Sequence, residues 1–556
     1  MTSAFLRIFD RYREQILRRT GPRGRVLLIA GVVLCLISSV LPWGVSGVGY
    51  TNPLGGNLQS VGIGGPRLYV LLLTLVACVG LTSVDGRRRS SLAASLGNLI
   101  ISVYILRGLV HEGGGTGAVG VGAWVALVGS LVLFLGADTL PVTPRNVLPR
   151  LSAVADIALI FVVIGVGLAA LVVGLDIEDD KQFVAFAIFV VALVVAANGL
   201  GVAAAFTSAF DRYRYIGYAV AAAAAFAFPF TQHGNAQWMA VFARVGVFAA
   251  AAIGLNVVVG LAGLLDLGYI AFFGIGGYVS ALLSNAVFTT VHVHLPFLLV
   301  IPLGAAVAAF FGVLVGAPTL RLRGDYLAIV TLGFGEIFRI VAINWTGLTK
   351  GPNGIAGIPD LKLPGGFDFG KPHTVFGQLL PFQSNYYFLD IFLIAGVMVF
   401  FARVNDSRIG RAWVAIREDE LAARAMGINT VALKLLAFGI GATLAGTAGT
   451  INVHIGEAIE PNAYQFIFSA LLLSAVVLGG MGTVAGPILG AALLYAIPEK
   501  LRFVQDYRLF LFGLALILLM RFRPEGLIVS RRRQREFHEG GSGADAMSQP
   551  GQVAPV

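Results

Sequence analysis

Ser407 to Gly427 reads SRIGRAWVAIREDELAARAMG, a charged island between two long apolar runs. Its interior has the character of a short helix. Glu420 and Arg424 stand four apart with the acid first, the favourable order for a pair on one helix face. Trp413, Ile416 and Glu420 fall near one face, and Val414, Arg417 and Leu421 near another. Gly427 follows Met426 where a helix commonly ends on a glycine. A charged helix between two membrane-length runs is held against the membrane surface, where something in the cytoplasm can touch it. The plainer reading is a solvated connecting loop that fixes topology and nothing more.

The runs on either side of the island belong to a chain whose main solvent is lipid. Of 556 residues, 57% are hydrophobic and 12% charged, about half the ~25% charge of a soluble domain. Mean hydropathy is +0.84, and the 71 glycines fit close packing of helices within a membrane. The net charge of +10 lies in short loops and at the termini, as cytoplasmic flanks do, which argues against nucleic acid as a partner. The two cysteines, Cys35 and Cys78, sit inside apolar runs, so they read as buried thiols rather than a disulfide framework.

From the N-terminus, a basic arm holds Arg7, Arg11, Arg13, Arg18, Arg19, Arg23 and Arg25, which places that end in the cytoplasm; topology alone accounts for it, with anionic lipid as the alternative reading. Apolar runs follow near 26–43, 67–84, 92–110, 118–137, 151–175, 183–208 and 213–230. Basic loops at Arg87–Arg89, Arg145 with Arg150, and Arg212 with Arg214 alternate with Gly-rich or acidic ones. Further runs lie near 237–263, 268–288, 295–317, 326–343, 387–403, 431–453, 464–480, 486–499 and 508–521. The expected fold class is therefore an all-α polytopic membrane protein of about sixteen transmembrane helices, with both termini cytoplasmic. The runs near 254–278 and 478–490 are interrupted by glycines and are expected to be broken or re-entrant. The long 344–386 stretch is placed outside, and 536–556 has the composition of a disordered tail.

Several chemistries are excluded. No G-x-x-x-x-G-K-[ST] occurs, so the chain has no P-loop for ATP. Gly480-Met-Gly482-Thr-Val-Ala-Gly486 mimics a dinucleotide fingerprint but lies among membrane spans, where a helix break is the better account. The seven histidines make no metal-ligand pattern and no G-x-S-x-G is present, so neither a metal site nor a catalytic residue is assigned. Intramembrane polar residues are costly and default to functional candidates: Asn256, Asp266 and Glu336. Asp266 is also placed to cap the following helix, and Glu336 has Arg339 three residues on as a structural partner.

The island resembles the cytoplasmic loop of membrane subunits of ATP-driven importers, in which a Glu-x-Ala-Ala-like stretch followed by Gly docks on an ATPase; here that stretch is Glu420, Leu421, Ala422, Ala423 and then Gly427. More closely it resembles the LivM family, one of the two permeases of branched-chain amino acid importers. Five other segments run in that family's order: GLAGLLDLGYIAFFGIGGY within 254–278, PTLRLRGDYLAIVTLGFGEIFRI at 318–340, GPNGIAGIP at 351–359, VVLGGMGTVAGPILGA at 476–491 and FRPEGLI at 522–528. The resemblance implies an ABC importer permease core at 236–535, preceded by an N-terminal transmembrane extension at 1–235. It implies a bacterial plasma (inner) membrane location and hydrophobic amino acids as cargo. It further implies a second, LivH-like permease, two ABC ATPase subunits that carry the ATP and Mg, and an extracytoplasmic substrate-binding protein. Arg411, Arg417, Glu418, Asp419, Glu420, Ala423 and Gly427 are then the ATPase-coupling residues, and Gly351, Pro352, Asn353 and Gly354 face the binding protein. The alternative classes are an ion-coupled carrier or an integral membrane enzyme. These need convergent titratable groups in the membrane, for which only Asp266 and Glu336 qualify.

Overall fold

The computed structural model describes residues 21–43, 66–82, 87–112, 115–140, 152–177, 179–231, 235–284, 295–319, 326–363, 366–501 and scattered positions from 507 to 528. The basic arm before residue 21, half of the 508–521 run and the 536–556 tail lie outside them. The fold is helical. Among the described residues nine helices are long and apolar enough to cross a membrane, and four shorter apolar helices accompany them. The described residues do not show sixteen spans, and several apolar runs do not make full ones among them. The 268–288 run yields only Ile270–Leu283, whose 14 residues reach about 21 Å against a hydrocarbon core of roughly 30 Å. The 183–208 run breaks at Leu200–Gly201, where Gly201 has φ 86°.

Packing divides the chain into two units, Met1–Phe228 and Pro229–Val556. The first holds α1 (Gly21–Val40), α2 (Pro66–Ala77), α3 (Arg87–Glu112), α4 (Val121–Asp138), α5 (Ala153–Asp176), α6 (Asp180–Gly199) and α7 (Val202–Arg212), and α8 (Arg214–Thr231) crosses the boundary. Arg87–Arg89 form the first turn of α3 rather than a loop, and Arg88 is buried against Asp138 at 2.8 Å. Inside this bundle Asn98 donates to Thr74 Oγ1 at 2.9 Å and Ser102 meets Ser130 at 3.2 Å. Such side-chain bonds hold helices together where lipid leaves no hydrophobic drive between them.

The second unit is built on α9 (Ala236–Asn256), which runs on through a π turn at Val257–Leu261. Together they are 78% buried across their most apolar window, against 11–44% for the other spans, so this is the central element. Around it come α10 (Ile270–Leu283), α11 (Phe297–Thr319), α12 (Tyr326–Asn344), α13 (Gln383–Asp406), α14 (Arg408–Glu418), α15 (Glu420–Ala425), α16 (Thr430–Gly456), α17 (Phe466–Gly479) and α18 (Gly486–Lys500). Alanine and glycine let α16 lie directly on α10: a side chain at Gly449 would overlap the Phe273 carbonyl, and one at Gly276 the Gly446 backbone. Both glycine-interrupted runs are broken as expected, one across 262–269 and the other across 480–485. The stretch after α12 folds through β1 (Ile355–Ala356), β2 (His373–Val375) and β3 (Gln378–Leu380). β2 and β3 form a hairpin, and β1 pairs with β4 (Ala458–Ile459), Ile355 opposite Ile459.

Candidate docking helices and the broken spans

The island forms two helices rather than one. Ser407 caps α14 by accepting from Gly410 N at 3.2 Å. At Asp419 the backbone turns extended, and its carboxylate accepts from Leu421 N at 2.8 Å and Ala422 N at 2.9 Å to start α15. An acid that bonds the amides ahead of it offers the chain an alternative to continuing a helix, and here that alternative wins. Gly427, at φ 83°, ends α15. Its N–H donates to Arg424 O and that of Ile428 to Ala423 O, the pair of bonds a glycine-terminated helix makes.

The island is pinned from behind and open in front. Trp413 is fully buried and donates from Nε1 to Leu433 O at 2.7 Å. Glu420 accepts from Lys434 Nζ at 2.6 Å and pairs with Arg424 at 3.1 Å. Burial pushes the Glu420 carboxyl up, but the Lys434 hydrogen bond and the charges of Lys434 and Arg424 outweigh it and hold the group below its ordinary range. Ala423 is buried on the inner side, whereas Arg411, Glu418 and Asp419 are exposed. Two apolar side chains also face outward, Leu421 at 68% and Met426 at 83% exposure.

The membrane candidates fall in distinct places. Asn256 is buried between the two helix breaks: Nδ2 donates to Thr483 O at 2.7 Å and Oδ1 accepts from Gly482 N at 2.8 Å. Arg417 donates to Gly260 O, in the π turn, at 2.8 Å. Asp266 accepts from Gly268 N at 2.9 Å, so it caps the turn leading into α10, while Ile270 N is met by Ser469 at 3.1 Å. Glu336 is paired with Arg339 at 2.9 Å. Gly351–Asn353 form a single helical turn; Pro352 and Asn353 are exposed, and Gly354 lies against the Ile459 carbonyl. The structure thus brings Arg417 and Asn256 to the same broken span, and the helix that carries Glu336 packs on that break as well, with Thr331 Oγ1 accepting from Leu267 N at 3.1 Å and Gly335 lying against Gly268.

Two buried groups escaped the reading of the sequence. Asp390, in α13, is 1% exposed and, among the described residues, neither carboxyl oxygen has a hydrogen-bond partner; it lies against Gly246 of α9. A lone acid inside the 387–403 apolar run was the available signal. His454 lies between Ser280 at 2.9 Å and Pro359 O at 2.9 Å, contacts 174 and 95 residues away that no local pattern announces. Among the described residues no group of three or more His, Cys, Asp or Glu could hold a metal ion.

A family model described as "Branched-chain amino acid transport system / permease component" matches residues 237–520. Over 309 residues the chain is 40% identical to the high-affinity branched-chain amino acid transport system permease proteins LivM of Salmonella typhimurium and of Escherichia coli, covering 53% of this chain and 70% of each relative. It is 26% identical over 287 residues to the corresponding permease protein LivH of Salmonella typhimurium, covering 50% of this chain and 91% of that protein. No solved structure matches the chain.

Proposed function

We propose, from the premise that the chain belongs to the family of permease components of branched-chain amino acid transport systems, that it carries branched-chain and related hydrophobic amino acids inward across the bacterial inner membrane. It does so with a second, LivH-like permease, two ATPase subunits that hold ATP and Mg, and an extracytoplasmic binding protein. The observation that carries the docking part of this reading is the α14–α15 pair. A segment of this charge that keeps Leu421 and Met426 in the open while its own acid is held by Lys434 is built to be touched by another chain. Closure of the ATPases moves the pair, and the broken spans around Asn256 and Asp266 answer by alternating access. Glu336 is a third residue of the path, and Gly351–Gly354 meet the binding protein. Selectivity rests with that protein, in keeping with how few charges this chain keeps inside the membrane.

The docking reading is tested by Glu420→Arg combined with Gly427→Pro. The first sets a third cation beside Lys434 and Arg424. The second removes a donated N–H and forbids the positive φ. Uptake is expected to vanish and ATPase recovery to fall while membrane insertion persists. Normal recovery with normal uptake contradicts the reading. The ion-coupled carrier remains the second reading because Asp390 is an intramembrane acid with no hydrogen-bond partner among the described residues.

A further inference from the structure

Gly260 is where three separate parts of the second unit meet. It lies in the π turn that closes α9, and its carbonyl accepts from Arg417 Nη1 of α14 at 2.8 Å. The aliphatic stem of Arg417 lies over Gly263, whose φ is 70° and where any side chain would overlap it. A side chain on Gly260 itself would overlap Asn256 Oδ1 and approach Gly482 N to 2.7 Å. Asn256 in turn holds Gly482 N and Thr483 O in the second break. That break is also met from the C-terminal side, where Leu527 N donates to Leu478 O and Ile528 N to Gly479 O, each at 2.9 Å. Bonds at each end and close packing of Gly260 on Asn256 between them therefore connect α14 through the π turn to the loop between α17 and α18. π turns leave backbone groups outside the regular ladder and occur often at functional sites. Here the carbonyl that accepts an outside donor is the one facing the docking helices.

We propose that Arg417 is a positioning residue for transport: it converts displacement of the docking helices into a change at both helix breaks, through Gly260 and then Asn256. The inference rests on the docking reading and extends it inward. Arg417 is not itself part of the exposed contact, since its guanidinium is directed at the membrane unit. Two packed elements joined by a charge-assisted bond move together or separate at a cost, so the bond selects between two arrangements of the breaks.

The test is the complex of this chain with its partner permease, ATPases and binding protein in proteoliposomes, reading labelled leucine taken up per ATP hydrolysed. Arg417→Ala and Asn256→Ala are each expected to lower that ratio by about tenfold, the scale of one lost charge-assisted or buried hydrogen bond. ATP hydrolysis should fall far less than uptake. Arg417→Lys, which keeps a donor, should restore part of the ratio. The double variant Arg417→Ala/Asn256→Ala should lose no more than the worse single one, because residues in one network do not add. Uptake and hydrolysis falling in parallel, additive losses, or no loss at all would each overturn the proposal. If Asn256→Ala fails to accumulate, Asn256→Asp keeps the acceptor for Gly482 and loses the donor to Thr483, and the same ratio is read. Failure of the docking reading looks different: Glu420→Arg with Gly427→Pro then leaves ATPase recovery and uptake normal.

Discussion

At the scale of single residues, close backbone approach is what this molecule can least afford to lose. Gly260→Ala would place a methyl group onto Asn256 Oδ1 and against the Gly482 backbone, neither of which can withdraw without breaking the Asn256 bonds. The expected cost is about 1–3 kcal/mol, read as a lower melting temperature of the detergent-solubilised protein. Gly333→Ala is the contrast: it lies in α12 with nothing within 4 Å of the added carbon, so the gain is up to about 1 kcal/mol from helix propensity. Equal shifts for the two variants would contradict the packing described. The residue pairs legible in the sequence were those within one turn, Glu420 with Arg424 and Glu336 with Arg339, together with Gly427 at its helix end. Arg417 with Gly260 is 157 residues apart and Asn256 with Thr483 is 227. Arg417 and Asn256 stood among the candidates by type, Gly260 and Thr483 did not, and nothing local in the chain says what either candidate holds.

At the scale of elements, the docking segment is two short helices joined at Asp419, each fixed to the start of α16. Glu420 lets that attachment be read by pH. Its folded carboxyl titrates below the ordinary value, so the stability it adds is fully present above the unfolded glutamate pKa of about 4.3 and is lost as pH falls through the lower folded value. Glu420→Gln should therefore melt below the unaltered protein by a constant margin between about pH 5 and 8, and the margin should close on further acidification. A margin that instead grew as pH fell would mean the carboxylate is not the attached form. The single helix expected here followed from the Glu420–Arg424 spacing and Gly427 at its end; the break arises because Asp419 bonds the next helix's amides. For the long spans the apolar pattern sufficed, since length and composition alone decide what lipid accepts. It does not distinguish a full span from a shorter helix buried by protein instead of lipid. α10 and α17, 14 residues each, are as apolar as their neighbours, and their shortness comes from the glycine-rich breaks beside them.

At the scale of the whole molecule, the second unit, Pro229–Val556, holds the family match, the docking pair and both breaks. The proposed orientation of this unit rests on where its charged and uncharged connections fall. A cysteine at Asn353, on the exposed turn after α12, should react with an impermeant maleimide in intact cells, and one at Ser407 should not; the reverse labelling would invert the topology of this unit. The central claim, that movement of amino acids through this chain is driven by ATP on partner subunits, is tested most directly by initial rates of labelled leucine uptake. These would be measured in cells with and without the chain, under two treatments that separate the energy sources. The rate that depends on the chain should collapse when cellular ATP is depleted with the proton gradient maintained, and persist when a protonophore dissipates the gradient with ATP maintained. Uptake that survives ATP depletion and vanishes with the gradient would contradict the account and turn attention to Asp390 as the coupling acid.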